Sequence, residues 1–267
     1  MASKFGNLLL HSSTKKQLEA FAKNPSHALL ITGPAGSGKT TTAKALAAEL
    51  LDLPNDQALE SYPYFFLINT PKGKQDIPIE SVREVISALK LKTPGRKTVG
   101  RLIYIEGAEN LSIPAQNALL KILEEPSLET VFILTATSGQ SVLPTISSRT
   151  QQLSIQPASL KSAKEFWNEQ YEEGPINSAW RLSHGGAGLL SALLSEDKNH
   201  PLKLAVEDAK SFLHKSKYER LLAIDKLSKD KQQFINFLDA LGRTVYVLHH
   251  NALNTNKAKQ ANALLNS

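Results

Sequence analysis

The chain contains no cysteine. That excludes a disulfide framework, a cysteine nucleophile and a thiolate zinc site, and leaves metal chemistry to histidine and carboxylates. The seven histidines show no ligand spacing. His249 and His250 are adjacent in a helical stretch and so point to different faces, as surface or packing residues do. No apolar run approaches the ~18 residues of a membrane span. The opening MASKFGNLLLHSS also lacks the basic start, long apolar stretch and small-residue cleavage site of a secretory signal. The expected setting is therefore the cytoplasm, with no membrane contact. Neither charge sign dominates: 31 Lys and Arg against 25 Asp and Glu leave a net charge of +6, which permits nucleic-acid contact without requiring it. One acid-free run, KLKTPGRKTVGR, gathers Lys90, Lys92, Arg96, Lys97 and Arg101. It reads either as a solvated turn or as a phosphate-facing patch.

What is present is enough for a sizeable core, since 41% of 267 residues are hydrophobic. HALLITG, YFFLIN, RLIYIEG and TVFILTAT are apolar runs of strand length, each followed by helical character, the alternation of a parallel sheet covered by helices. TTTAKALAAELL places Leu46, Leu50 and Leu51 near one helical face, and IESVREVISALKL does the same with Val82, Val85, Ile86 and Leu89. LSIPAQNALLKILEEP carries Leu119, Leu120 and Leu123 and is ended by Pro126. Beyond about Pro157 the strand runs stop. The expected organisation is an α/β domain over 1–155, a helical unit over 156–198 and a second helical unit over 199–267. In that last unit Phe234, Leu238, Leu241, Val245 and Leu248 are expected to form one packed face.

The most specific motif is GPAGSGKT, Gly33 to Thr40, which fits the phosphate-binding pattern between a predicted strand and a predicted helix. Its glycines let backbone N–H groups curl around phosphate, Lys39 reaches the β- and γ-phosphates, and Thr40 offers a hydroxyl to Mg²⁺. RLIYIEGAEN then supplies the second half of such a site. Active motors of this kind end that strand with Asp and Glu, the first ordering Mg²⁺ and the second polarising water. Here the positions hold Glu106 and Gly107. Glu109 can substitute for the missing carboxylate only if the loop folds back.

The stretch from Ile105 to Leu153, IEGAENLSIPAQNALLKILEEPSLETVFILTATSGQSVLPTISSRTQQL, resembles the bacterial clamp-loader AAA+ family, delta-prime and gamma/tau subunits, from its Walker B strand to its arginine finger. AQNALLKILEEP matches the family's helix-and-loop signature. Ser148, Arg149 and Thr150 match its Ser-Arg-Cys motif with Thr for Cys, and Thr137 falls at its sensor 1 position. The resemblance extends over roughly residues 10–155. It implies a P-loop AAA+ domain with a parallel sheet covered by helices, then a helical lid and a shortened collar-like domain.

The resemblance further implies ATP or ADP with Mg²⁺ and no zinc, since the family's four-cysteine module has no counterpart here. The nucleotide site would comprise Gly33, Pro34, Ala35, Gly36, Ser37, Gly38, Lys39, Thr40 and Thr41 with Glu106 and Thr137, and Thr40 and Glu106 would serve the Mg²⁺. Arg149 would act in trans on a neighbouring subunit. The implied partners are gamma/tau and delta clamp-loader subunits, the sliding clamp and, through the complex, primer-template DNA. Gly107 at the glutamate position, and Gly188 and Leu189 where a sensor 2 arginine would stand, point to the delta-prime type with weak or absent hydrolysis. The alternative is a hydrolysing gamma/tau-type motor. A nucleotide or small-molecule kinase is what the phosphate loop alone would also permit.

Overall fold

The computed structural model describes residues 4–89, 98–126 and 129–254. They fall into two units, Met1–Gln156 and Pro157–Ser267. In the first, β1 (Ala28–Thr32), β2 (Phe65–Ile68), β3 (Arg101–Ile105), β4 (Thr130–Ala136) and β5 (Gln151–Ser154) form one parallel sheet in the order β2-β3-β4-β1-β5. The helices of this unit are α1 (Ser12–Lys23), α2 (Lys39–Leu50), α3 (Ile79–Ala88), α4 (Ile113–Glu124) and the single turn α5 (Pro144–Ser147).

The central strands β1, β3 and β4 are buried along their whole length, as expected where helices cover both faces. Alternate residues serve the two sides. Ala28, Leu30, Ile103, Ile105, Phe132 and Leu134 pack with Val82 and Val85 of α3 and with Ala115, Leu119 and Leu123 of α4. Leu29, Ile31, Leu102, Tyr104, Val131 and Ile133 pack with Leu18 and Phe21 of α1 and with Ala43, Leu46 and Ala47 of α2. The α/β fold with a parallel sheet covered by helices that the sequence predicts is thus formed. β5 was not among the four expected strands. Its sequence QQLS buries only Leu153, because an edge strand beside β1 has one covered face and little apolar signal.

α4 starts where Ser112 accepts the N–H of Ala115 and Pro114 occupies the first turn, and it stops before Pro126. Arg101 departs from the expectation of an exposed basic run. It is 2% exposed on β3 and donates to the carbonyl of Leu89 at 3.0 Å. Lys90, Lys92, Arg96 and Lys97 lie outside the described residues.

The second unit is helical throughout its described length: α6 (Leu160–Trp167), α7 (Glu173–Ser183), α8 (Ala187–Leu194), α9 (Pro201–His214), α10 (Lys217–Leu227) and α11 (Lys231–Asn254). One apolar cluster joins Leu182 of α7 and Leu189 of α8 to Ala205, Val206 and Ala209 of α9, Leu227 of α10, and Phe237 and Ala240 of α11. The buried face of α11 is rotated from the one the sequence suggests. Phe234 and Leu241 do pack on the cluster, but Leu238 and Leu248 are exposed, and Phe237, Ala240 and Thr244 take the inner side. Among the described residues no helix is long and apolar enough to cross a membrane.

Candidate nucleotide site

β1 delivers the chain to the phosphate loop in the middle of the sheet. The register sets Thr32 of β1 against Ala136 of β4, and Leu134 of β4 against Ile105 of β3, so the carboxyl ends of three strands meet there. This is where open parallel sheets hold ligands. Gly36 and Gly38 adopt φ of 75° and 92°, left-handed values that L side chains disfavour. They curl the loop so that α2 begins at Lys39 with no side chain capping its first amides. Gly33 is confined as well, since a Cβ there would meet Ser37 Oγ at 2.7 Å.

Lys39 Nζ donates to the carbonyls of Gly33 at 2.6 Å and Pro34 at 2.9 Å, inside the loop that would surround a phosphate. Burial holds its pKa below the ordinary lysine value, opposed by the charges of Glu109 and then Glu106. An anion in the loop would restore that balance. Thr40 Oγ1 donates to Glu106 Oε1 at 2.6 Å, joining the loop hydroxyl to the carboxylate at the end of β3. Beneath this pair the Tyr104 hydroxyl is buried, beside Thr40, Thr135 and Glu106, and burial and the Glu106 charge push its pKa up to about 12. Its proton therefore stays on at physiological pH.

The residues present suit a Mg²⁺ nucleotide. Ser37 Oγ and Glu109 Oε2 are buried without a hydrogen-bond partner, a cost that a bound ligand or water would relieve. Thr40 and Glu106 are hard oxygen donors of the kind Mg²⁺ accepts. Among the described residues no group of three or more His, Cys, Asp or Glu is placed to hold a metal unaided.

Thr137, at the end of β4, is exposed, and its backbone N–H donates to Glu109 Oε1 at 3.0 Å. Glu109 is thus folded back toward the loop rather than directed away from it. Gly107 makes this possible with φ of 71°, starting a 3₁₀ turn over Ala108–Asn110. Gly188 lies in the first turn of α8, and its neighbour Leu189 is buried in the helical cluster.

Arg149 follows α5 and bonds elsewhere. Its guanidinium meets Glu124 Oε1 at 2.7 Å and the carbonyl of Thr145 at 3.0 Å, at the far end of α4. Ser148 Oγ donates to the same Thr145 carbonyl at 3.2 Å, tying the turn together. Two participants escaped the sequence reading. Glu124 had no local signal linking it to Arg149, and Tyr104 read as one more apolar strand residue.

A family model described as the DNA polymerase III delta subunit matches residues 10–159. The DNA polymerase III subunit delta' of Pseudomonas aeruginosa is 35% identical over 141 residues, 47% of this chain and 42% of that protein. The same subunit of Haemophilus influenzae is 29% identical over 230 residues, 80% of this chain and 67% of that protein. The matched stretch thus spans from about two fifths to two thirds of these relatives' length. Among solved structures, the Thermotoga maritima RuvB Holliday junction branch migration motor superposes with a TM-score of 0.51 at 17% identity. That match covers 83% of this chain and 71% of the motor, and it speaks for the fold alone.

Proposed function

The chain belongs to the delta-prime family of DNA polymerase III clamp-loader subunits, and we propose that it is the nucleotide-binding subunit that lends an arginine to a neighbour during loading of the sliding clamp onto primed DNA. The carrying observation is the Thr40–Glu106 bond at the mouth of the phosphate loop, which brings the two candidate Mg²⁺ residues to one point beside Lys39. In this reading the backbone of Gly33 to Thr41 cradles the phosphates and Lys39 gives up the loop carbonyls for phosphate oxygens. Thr40 and Glu106 would hold Mg²⁺, which would supply charge neutralisation at the phosphates. Thr137 stands on the γ-phosphate side.

Arg149 is assigned a different task. Its partners Glu124, Thr145 and Ser148 lie on α4 and the α5 turn and none belongs to the chain's own phosphate loop, as suits a guanidinium meant for another subunit's γ-phosphate. The partners proposed are gamma/tau and delta subunits and the clamp, with primer-template DNA reached through the complex. The helical unit is assigned to a lid over 156–198 and a collar-like part over 199–267. Hydrolysis by the isolated chain is slow, because Gly107 carries no carboxylate and no arginine stands at Gly188 or Leu189.

Calorimetry of the purified chain with Mg²⁺ and ATP tests the binding half. A folded chain that shows no heat at millimolar ATP ends the nucleotide reading. Reconstitution with a gamma/tau-type ATPase, a delta subunit and the clamp tests the assembly half, and failure to co-elute would defeat it.

A further inference from the structure

The site lacks a carboxylate at position 107, yet Glu109 brings one to the end of β4, beside Thr137. Gly107 does more than omit a side chain. Its left-handed backbone turns the chain, and a Cβ there would meet Asn110 Nδ2 at 2.9 Å. The turn that follows is fixed at several points. Gly107 N donates to Thr135 Oγ1 at 3.1 Å, Asn110 N to the Gly107 carbonyl at 2.9 Å, and Ile77 N to the Asn110 carbonyl at 2.7 Å. Ala108 is fully buried beneath it. Glu109 is therefore delivered on a rigid support to the end of β4. The Thr137 N–H holds Oε1, while Oε2 is buried with no partner at all. Among the charges acting on Lys39, that of Glu109 is felt ahead of that of Glu106.

We propose that Glu109 is the carboxylate that orients and deprotonates the water attacking the γ-phosphate, in place of the absent side chain at 107. This rests on the nucleotide-binding reading. One oxygen is anchored by Thr137, and the other is free to accept a hydrogen bond from water. As the water oxygen bonds to the γ-phosphorus, the bond from that phosphorus to the β,γ-bridging oxygen breaks, and its electron pair leaves on ADP. The water proton passes to Glu109 Oε2 and then to the released phosphate. Positioned proton transfer of this kind contributes on the order of 10²–10⁴ in rate, which fits a slow turnover where an arginine from a partner is missing. The same negative charge opposes an incoming γ-phosphate, so the site carries an intrinsic bias against ATP relative to ADP.

Glu109→Gln separates this role from a structural one, because the amide oxygen still accepts the Thr137 N–H while charge and basicity are lost. Two readouts are taken on the full chain with Mg²⁺: the affinities for fluorescent ATP and ADP analogues, and single-turnover release of phosphate from bound ATP under excess protein. The expected result is at least a threefold rise in ATP affinity with ADP affinity unchanged, together with at least a tenfold loss of the single-turnover rate. An unchanged ATP-to-ADP preference with an unchanged rate overturns the proposal. So does a native chain that holds ATP yet releases no phosphate above the Lys39→Ala blank. A native chain that binds neither nucleotide instead overturns the nucleotide reading, and this inference with it. Should the amide variant fail to fold, Glu109→Asp supplies the second measurement, since it keeps the charge but shortens the reach. It should keep the native ATP-to-ADP preference and lose at least tenfold in rate, and a native rate would count against Glu109.

Discussion

The two units of the chain solve the problem of apolar surface differently. In the first, every position of the three central strands is buried and helices cover both sides, so that among its described residues only Leu67 and Ile113 are large apolar side chains left exposed. In the second, a cluster of eight buried residues joins five of the six described helices while Phe166, Leu204, Tyr218, Leu221, Leu222, Ile224, Ile235, Leu238, Tyr246 and Leu248 face outward. The first unit closes its core against itself and spends its irregular backbone on the phosphate loop. The second keeps apolar side chains on both sides of its helices, so its pattern does not announce which side is inner.

The largest expected effect breaks this comparison directly. Phe132 is fully buried in the sheet, and Phe132→Ala should cost about 3–5 kcal/mol of stability in the first unit. Nucleotide binding should be lost at the same denaturant concentration as the sheet signal. Phe237→Ala removes a comparable ring from the helical cluster. It should lower helical stability while the folded first unit still binds nucleotide. If Phe237→Ala abolished binding under conditions where circular dichroism shows the sheet intact, the two units would not be separable as drawn.

This contrast explains what was legible in the sequence. Three strands announced themselves as apolar runs because both faces of the central sheet are covered, the edge strand β2 did so through FFLI although only Ile68 is buried, and the phosphate loop did so because its glycines and lysine have few other uses together. β5 stayed hidden, since Gln151 and Gln152 are exposed and only Leu153 points inward. The face of α11 was misjudged by one helical step, because Leu238 and Leu248 fit an apolar stripe as well as Phe237 and Ala240 do. Within the site, loop residues are read from local spacing. The Glu124–Arg149 pair and the return of Glu109 to Thr137 depend on tertiary placement that no local pattern encodes.

Next in size is the loss of the loop cation. Lys39→Ala should weaken ATP binding at least a hundredfold, about 2.7 kcal/mol, measured by calorimetry. The variant should unfold like the native chain when no nucleotide is present. If ATP affinity survived the change, the phosphate loop would be a structural turn, and the first unit would lose the feature that distinguishes it from the second.

Arg149→Ala should act at a distance. The chain's own ATP affinity should not move, and its stability should change by less than about 1 kcal/mol, because the ion pair with Glu124 is about half exposed and screened by solvent. In a complex with a hydrolysing partner, the stimulated ATPase should fall about tenfold, equivalent to ~1.4 kcal/mol of barrier. Arg149→Lys should restore little, since a point charge does not match phosphate oxygens as the planar fork does. A full rate in the assembled complex would leave Arg149 as a local turn residue.

The smallest effect belongs to the outward side of the second unit, and it tests whether the exposed leucines are as idle within the chain as their position implies. α10 buries little beyond Leu227, and polar devices hold it in place. Ser216 and Glu219 cap its start reciprocally. Arg220 donates to the carbonyls of Phe212 and Leu213 at 3.2 and 3.0 Å and lies 5.6 Å from the centre of the Phe212 ring. Leu221 and Leu222, at 67% and 53% exposure, contribute little to that anchoring. Replacing both with serine should therefore change the urea midpoint of the helical unit by no more than about 0.5 kcal/mol in free energy. It should also reduce any concentration-dependent self-association, because exposed apolar side chains drive such contacts. A loss of 2 kcal/mol or more would mean that α10 packs its leucine side inward in solution. The second unit would then be as closed as the first, and the contrast between them would disappear.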